Sequence, residues 1–216
     1  ITGAPKATPF LFRGNQRLVV QPTAKEPAQI RFSAITSRGG TIRYTVYDAA
    51  GKEVSRGIVS ATVPITLEPG PSPYFHVALV AGSATFRAQV DGAAWAVDGH
   101  IDDQGLHFLG SVTPLYFEVP EGVASFTLSL AATPPGETAV ATLFAPDGKE
   151  AAKFDCTAIA VDRKKVDVPA GASGFWRLVI EKAATGVIDD VWVMAGPEVP
   201  GYFSLSPEQA LSVAVR

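Results

Sequence analysis

Residues able to do chemistry are few in this 216-residue chain: three histidines, one cysteine and a scatter of carboxylates. His100, Asp102, Asp103 and His107 form the one polar cluster of metal-ligand types. A zinc or calcium site needs three or more such groups converging on one point. The His-x-Asp-Asp spacing matches no ligand motif, and a glycine-flanked acidic stretch also serves solubility, so no metal and no cofactor is expected. His76 stands between Phe75 and Val77, with Leu79 beyond, which puts it on the solvent face of a strand. Cys156 has no partner for an intramolecular disulfide, and its Phe-Asp-Cys-Thr setting reads as a small buried hydrophobe. Asp189 and Asp190 are neighbours, and neighbours on a strand face opposite ways, so they cannot flank one bond. Nucleophile-elbow, zinc-protease, dinucleotide and phosphate-loop motifs are all missing from the sequence. The expectation is a chain without catalytic activity of its own.

The elements that would position these groups read as strands. In residues 125–130 Phe126, Leu128 and Leu130 alternate with Ser125, Thr127 and Ser129, the pattern of a half-buried strand. Ile30, Phe32 and Ala34 repeat it, as do Ile42, Tyr44 and Val46. Further strands are expected at 18–20, 54–60, 63–67, 74–81 and 84–90, with turns at 48–51 and 146–148. Pro146-Asp147-Gly148 suits a tight turn because proline fixes φ and glycine accepts a positive φ. The order of signals occurs twice. The run Thr45 to Glu53 answers Thr142 to Glu150, and Leu67 to Leu79 answers Val168 to Ile180, which pairs Phe75 with Trp176. Phe12 and Gly14 match Phe108 and Gly110, and Trp95 is matched with Trp192. Five matches in one order at a nearly constant offset point to tandem copies.

The fold class expected is all-β: two tandem antiparallel β-sandwich domains, Ig-like or jelly-roll-like, of roughly 95 residues each. Residues 1–9 form an extended lead-in, 10–97 copy one, 98–105 a polar linker, 106–200 copy two, and 201–216 a tail. In that tail Ser206-Pro207-Glu208-Gln209 suits a short helical turn capped by Ser206. Seventeen prolines and twenty glycines spread through the chain fit many short strands joined by turns. The formal charge of −3 gives nucleic-acid binding no support, and the sequence offers no membrane span. Residues 1–99 carry ten Lys and Arg against six Asp and Glu, and the remainder eight against fifteen, a net +4 facing a net −7. This reads as two differently solvated surfaces rather than an attraction between halves, since exposed charges are screened. The chain begins at Ile1 and shows no signal peptide, which reads as a processed or excised piece.

Tyr116-Phe117-Glu118-Val119-Pro120-Glu121-Gly122, the Pro146-Asp147-Gly148-Lys149 turn and the stretch from Pro169-Ala170-Gly171 to Ile180 resemble the bacterial pre-peptidase C-terminal type of β-sandwich. The likeness covers copy two well and copy one loosely. It implies a non-catalytic accessory domain in a larger secreted or cell-surface bacterial protein, often beside a hydrolase, with an upstream domain. Copy one departs from the turn motif at Ala49 and Ala50, and neither copy has the dense acidic run of calcium-binding relatives.

Two functional classes follow. One is an accessory module that meets a protein partner; the other is a carbohydrate-binding module that takes a polysaccharide. The second needs aromatic side chains on a solvent face. With Phe75, Val77 and Leu79 inward, strand alternation sends Tyr74, His76 and Ala78 outward, and the matching set is Phe175, Arg177 and Val179. Tyr74, His76, Phe175 and Arg177 are therefore the candidate ligand platform, each aromatic standing two residues from a hydrogen-bonding group.

Overall fold

The computed structural model describes residues 11–23, 26–37, 40–100, 105–110 and 114–211. The chain is all-β. In the first half the strands are β1 (Leu11–Arg13), β2 (Gln16–Pro22), β3 (Ala28–Thr36), β4 (Arg43–Asp48), β5 (Glu53–Ile58), β6 (Ile65–Leu67), β7 (Phe75–Val80), β8 (Thr85–Asp91) and β9 (Ala93–Asp98). In the second half they are β10 (Leu106–Leu109), β11 (Leu115–Val119), β12 (Ser125–Ala131), β13 (Ala139–Phe144), β14 (Glu150–Asp155), β15 (Val161–Asp167), β16 (Gly174–Lys182), β17 (Asp190–Ala195) and β18 (Tyr202–Phe203).

The alternation of apolar residues decides which side of each strand is buried. Phe126, Leu128 and Leu130 of β12, Trp176, Leu178 and Ile180 of β16, and Phe75, Val77 and Leu79 of β7 all lie in the core. In the second half Phe126 meets Phe117 and Trp176 edge-on, with ring centroids 5.6 and 5.2 Å away, which locks one layer onto the other. Both expected hairpin turns form, by different means. At 145–149 the Asp147 carboxylate accepts the Lys149 N–H at 3.0 Å. At 48–52, where Ala49 and Ala50 replace proline and aspartate, Asp48 accepts the N–H groups of Ala50 and Lys52 at 3.0 and 2.9 Å. Gly51 and Gly148 both take the positive φ, 77° and 82°, that such turns require.

The ladders are antiparallel and form three sheets. One has eight strands in the order β15-β12-β17-β10-β1-β8-β3-β6, one has six, β18-β9-β2-β7-β4-β5, and one has four, β11-β16-β13-β14. The last two are joined, because Tyr116 and Ser204 exchange main-chain hydrogen bonds of 2.8 and 2.7 Å. Each pairing in β1–β9 has its counterpart in β10–β18, and both layers read the same from either end. The centre of the first layer is the β1–β10 pair, with Phe12 opposite Phe108, both fully buried. The centre of the second is β9 against β18. Corresponding glycines do the same work: Gly14 and Gly110, at φ 72° and 73°, donate to the carbonyls of Ala84 and Asp189.

Several expectations are corrected here. Residues 98–105 do not divide two separate sandwiches, since the eight-stranded sheet runs through both halves and buried residues of both share one core. Asp98 belongs to β9, and residues 101–104 lie outside the described residues. Phe75 and Trp176 do occupy corresponding places, opposite Val20 and Phe117. Trp95 and Trp192 do not. Trp95 in β9 pairs with Val20 in the second layer, whereas Trp192 in β17 pairs with His107 in the first. The residue corresponding to Trp95 is Phe203, as fully buried as Trp95 itself. The strand expected at 54–60 ends at Ile58, and the one expected at 63–67 starts only at Ile65, after Pro64, which has no N–H for a ladder. The helical turn is a 3-10 turn at Pro207–Gln209 with proline leading, but the Ser206 side chain makes no capping bond. The lead-in at 1–9 lies outside the described residues.

Candidate functional site

On the outer face of the second layer the two halves place corresponding residues at corresponding registers. In the first half His76 lies between Val19 and Tyr47 on neighbouring strands; in the second, Arg177 lies between Tyr116 and Phe144. The two sets nonetheless differ in what covers them.

In the first half the expected platform is closed. Tyr74 points outward, as alternation requires, but is only 4% exposed. The chain that follows β18 passes through the 3-10 turn and brings Leu211 down onto Tyr74, Val19 and Ala96, a small apolar cluster of its own. Tyr74 is thus a covered structural residue rather than a ligand platform. His76 meets the Tyr74 ring edge-on at 5.4 Å, and its Nδ1 is buried with no hydrogen-bond partner among the described residues. It is half-buried, not the solvent-face residue its position suggested. Burial lowers its pKa, the nearby Asp98 carboxylate working against that shift and Arg17 with it. The Tyr202 hydroxyl beside them is pushed up to about 12, by burial first and then by the charge of Asp98.

In the second half the matching face is less covered, Phe175 being partly exposed where Tyr74 is buried. Phe175 and Arg177 are both half-exposed, as are Tyr116 and Phe144 on the flanking strands. The Arg177 guanidinium lies over the Phe144 ring, 4.5 Å from its centroid, a cation–π contact that fixes the position of its donors. A partly apolar row results, Tyr116–Arg177–Phe144 with Phe175 on the same strand as Arg177, presenting aromatic rings together with N–H donors. Such a surface can stack an apolar ring face while donating to hydroxyl or carboxylate oxygens. Sequence reading missed Tyr116 and Phe144, although the signal was present: each alternates with a core residue, Phe117 and Leu143.

The histidine–aspartate cluster is divided between places. Asp102 and Asp103 lie outside the described residues. His100 bonds the Gly196 carbonyl and lies near Asp98. His107 is almost fully buried against Asp190, whose Oδ1 is 2.7 Å from its Nε2, and its ring stacks on Trp192 with centroids 4.0 Å apart. Arg13 donates to the other Asp190 oxygen at 2.6 Å, tying β1 to β17 across the two halves. Among the described residues no three His, Cys, Asp or Glu side chains gather as a metal group would. Asp189 is exposed and lies just before β17, which begins at Asp190. Cys156 is buried and its thiol donates to the Leu130 carbonyl at 3.2 Å; burial raises its pKa, as fits a packing residue.

His76 and His107 give the fold a definite pH dependence. For His107, as for His76, burial is the largest influence and lowers the pKa, with Asp190 opposing it and Arg13 assisting. Each therefore takes up a proton more readily in the unfolded chain. Stability is fully present above the ordinary histidine value of 6.5 and is lost as pH falls from there toward the lowered values. The urea midpoint is expected to fall between about pH 7.5 and about pH 5.5, and His107→Gln should reduce the drop. An unchanged midpoint would contradict this.

Comparison with protein-family models finds no match to the chain, and no curated protein matches it. Among the described residues no helix is long and apolar enough to cross a membrane.

Proposed function

We propose that this chain is a non-catalytic accessory and interaction module of a larger secreted or cell-surface bacterial protein, and that its two halves arose by tandem duplication. The support is the way the halves are joined. Main-chain ladders cross the centre of both layers, so the described residues make one slab whose outer faces and far ends are left for partners. A slab joined in this way suits a spacer or docking platform. The resemblance at Tyr116–Gly122, Pro146–Lys149 and Pro169–Ile180 supports the same reading and supplies the secreted setting.

A second reading is favoured by one specific observation, the half-exposed row Tyr116–Arg177–Phe144 with Phe175. An aromatic row with N–H donors suits the stacking and hydrogen bonding of a sugar, which supports a carbohydrate-binding module. Titration with a panel of soluble polysaccharides, followed by calorimetry, separates the two readings. Under the carbohydrate reading binding is lost in Tyr116→Ala or Phe175→Ala with the circular dichroism intact. Heat exchange absent up to about 1 mM sugar leaves the row as a protein-facing surface. On ester, peptide and glycoside substrates the repurified chain is expected to give no turnover above background, with or without added calcium or zinc. Turnover that survives repurification would overturn the non-catalytic reading.

A further inference from the structure

The two halves differ at their far ends. In the second half the sandwich is closed along its side: β15 pairs with all seven residues of β12, from Ser125↔Asp167 to Ala131↔Val161. Phe154 of β14 fills the core beneath, and the Asp155 N–H donates to the Asp162 carboxylate at 2.9 Å, bridging one layer to the other. In the first half the corresponding β6 covers only Ala28, Gln29 and Ile30 of β3, because Pro64 ends it. The place of Phe154 is taken by Gly57, and the end of the Tyr44 ring lies over it, 2.9 Å from where a Cβ would stand. β5 and β6, at the ends of the two layers, are left as unpaired edges.

The β5 edge has the features of a strand-binding site. β5 pairs with β4 alone, so its other edge presents main-chain N–H and C=O groups without a ladder. Val54 and Ile58 on it, and Val63 beyond it, are 48%, 62% and 64% exposed. Beside the start of β5 lies a cleft of about 600 Å³, between the 48–51 turn and the proline-rich run 69–73, with Leu67 and Phe75 as its floor. The corresponding cleft of the second half is smaller, about 400 Å³. Asp48 and Glu68 stand at the rim, and Glu68 has no ion-pair partner among the described residues.

We propose that this edge docks an extended peptide segment of a partner protein, which adds antiparallel or parallel to β5 and covers its free edge. Main-chain groups require an extended strand, the Leu67–Phe75 floor requires a medium apolar side chain, and the acidic rim selects a lysine or arginine beside it. In the second half β15, laddered to β12, spans the corresponding side and reaches β14 through the Asp155–Asp162 hydrogen bond. The inference gives the interaction module a protein-facing site and so rests on that reading, at a place remote in sequence from the aromatic row.

The test uses the whole chain, isotopically labelled, and an end-blocked peptide of sequence Lys-Thr-Val-Thr-Val-Thr-Val-Lys, with a second peptide whose central threonine is proline. Amide shifts are expected on residues 53–58 and 66–75. Affinity should fall about tenfold or more for the proline peptide, which cannot complete the ladder. The double variant Val54→Lys/Ile58→Lys should lose binding to the same extent while keeping its spectrum, since both side chains are exposed. Shifts elsewhere, equal binding of the proline peptide, or no shifts at about 1 mM peptide overturn the proposal. So does a dimer in sedimentation velocity that the double variant abolishes, since the edge would then belong to a second copy. Failure here leaves polysaccharide binding at Tyr116 and Phe175 untouched, and the double variant should bind sugar as the parent does.

Discussion

Trp176→Ala is expected to lower the unfolding free energy by about 3–5 kcal/mol, the cost of removing a large aromatic from a packed core. Trp176 is fully buried, its indole N–H donates to the Ala172 carbonyl at 2.8 Å, and its ring takes the edge of Phe126. The substitution therefore leaves a cavity and an unfilled acceptor together. Little can relax into the gap, because Phe126 is also held by Phe117 from the opposite layer. A urea midpoint equal to that of the parent chain would show that Trp176 is not a core residue. Phe175→Ala, next to it but half-exposed, should cost far less.

The second large effect is on cooperativity. Because β1 pairs with β10 and β18 with β9, neither half can unfold without exposing fully buried residues of the other, among them Phe12, Phe108 and Phe203. The chain is expected to unfold in one transition. Phe86→Ala in the first half and Trp176→Ala in the second should each move the whole of it. A fragment of residues 1–99 should show no cooperative transition, since it leaves β1 and β9 as bare edges. Two transitions, each moved by substitutions in one half alone, would mean that the halves are independent domains.

Strands whose side chains alternate were legible in the sequence. Ser125 to Leu130 has the period of two that only a half-buried strand keeps, and the 45–53 and 142–150 runs kept their turn glycines. The joining of the halves was not legible, because it is done by β1 and β18, three and two residues long, which carry no period to read. Matching Trp95 with Trp192 failed for a related reason. The spacing between corresponding residues grows along the chain, from 96 at Phe12 and Phe108 to 101 at Phe75 and Trp176 and 108 at Trp95 and Phe203. Loops lengthen without changing the ladders, so a constant offset lands on the wrong layer. Alternation also gave the direction of Tyr74 correctly but not its burial, because Leu211, which covers it, is distant in sequence.

Leu211 has a further consequence, for valency. A slab that reads the same from both ends would ordinarily offer two equal outer faces and could grip a repeating ligand twice, the second grip helped by a high local concentration. Here the chain lays Leu211 across one of them. If the aromatic row takes a polysaccharide, as proposed above, it is thus presented once per molecule, and a long ligand would gain nothing from length on a single slab. Tight attachment along such a ligand would have to come from several molecules set side by side, and so from how densely they are displayed.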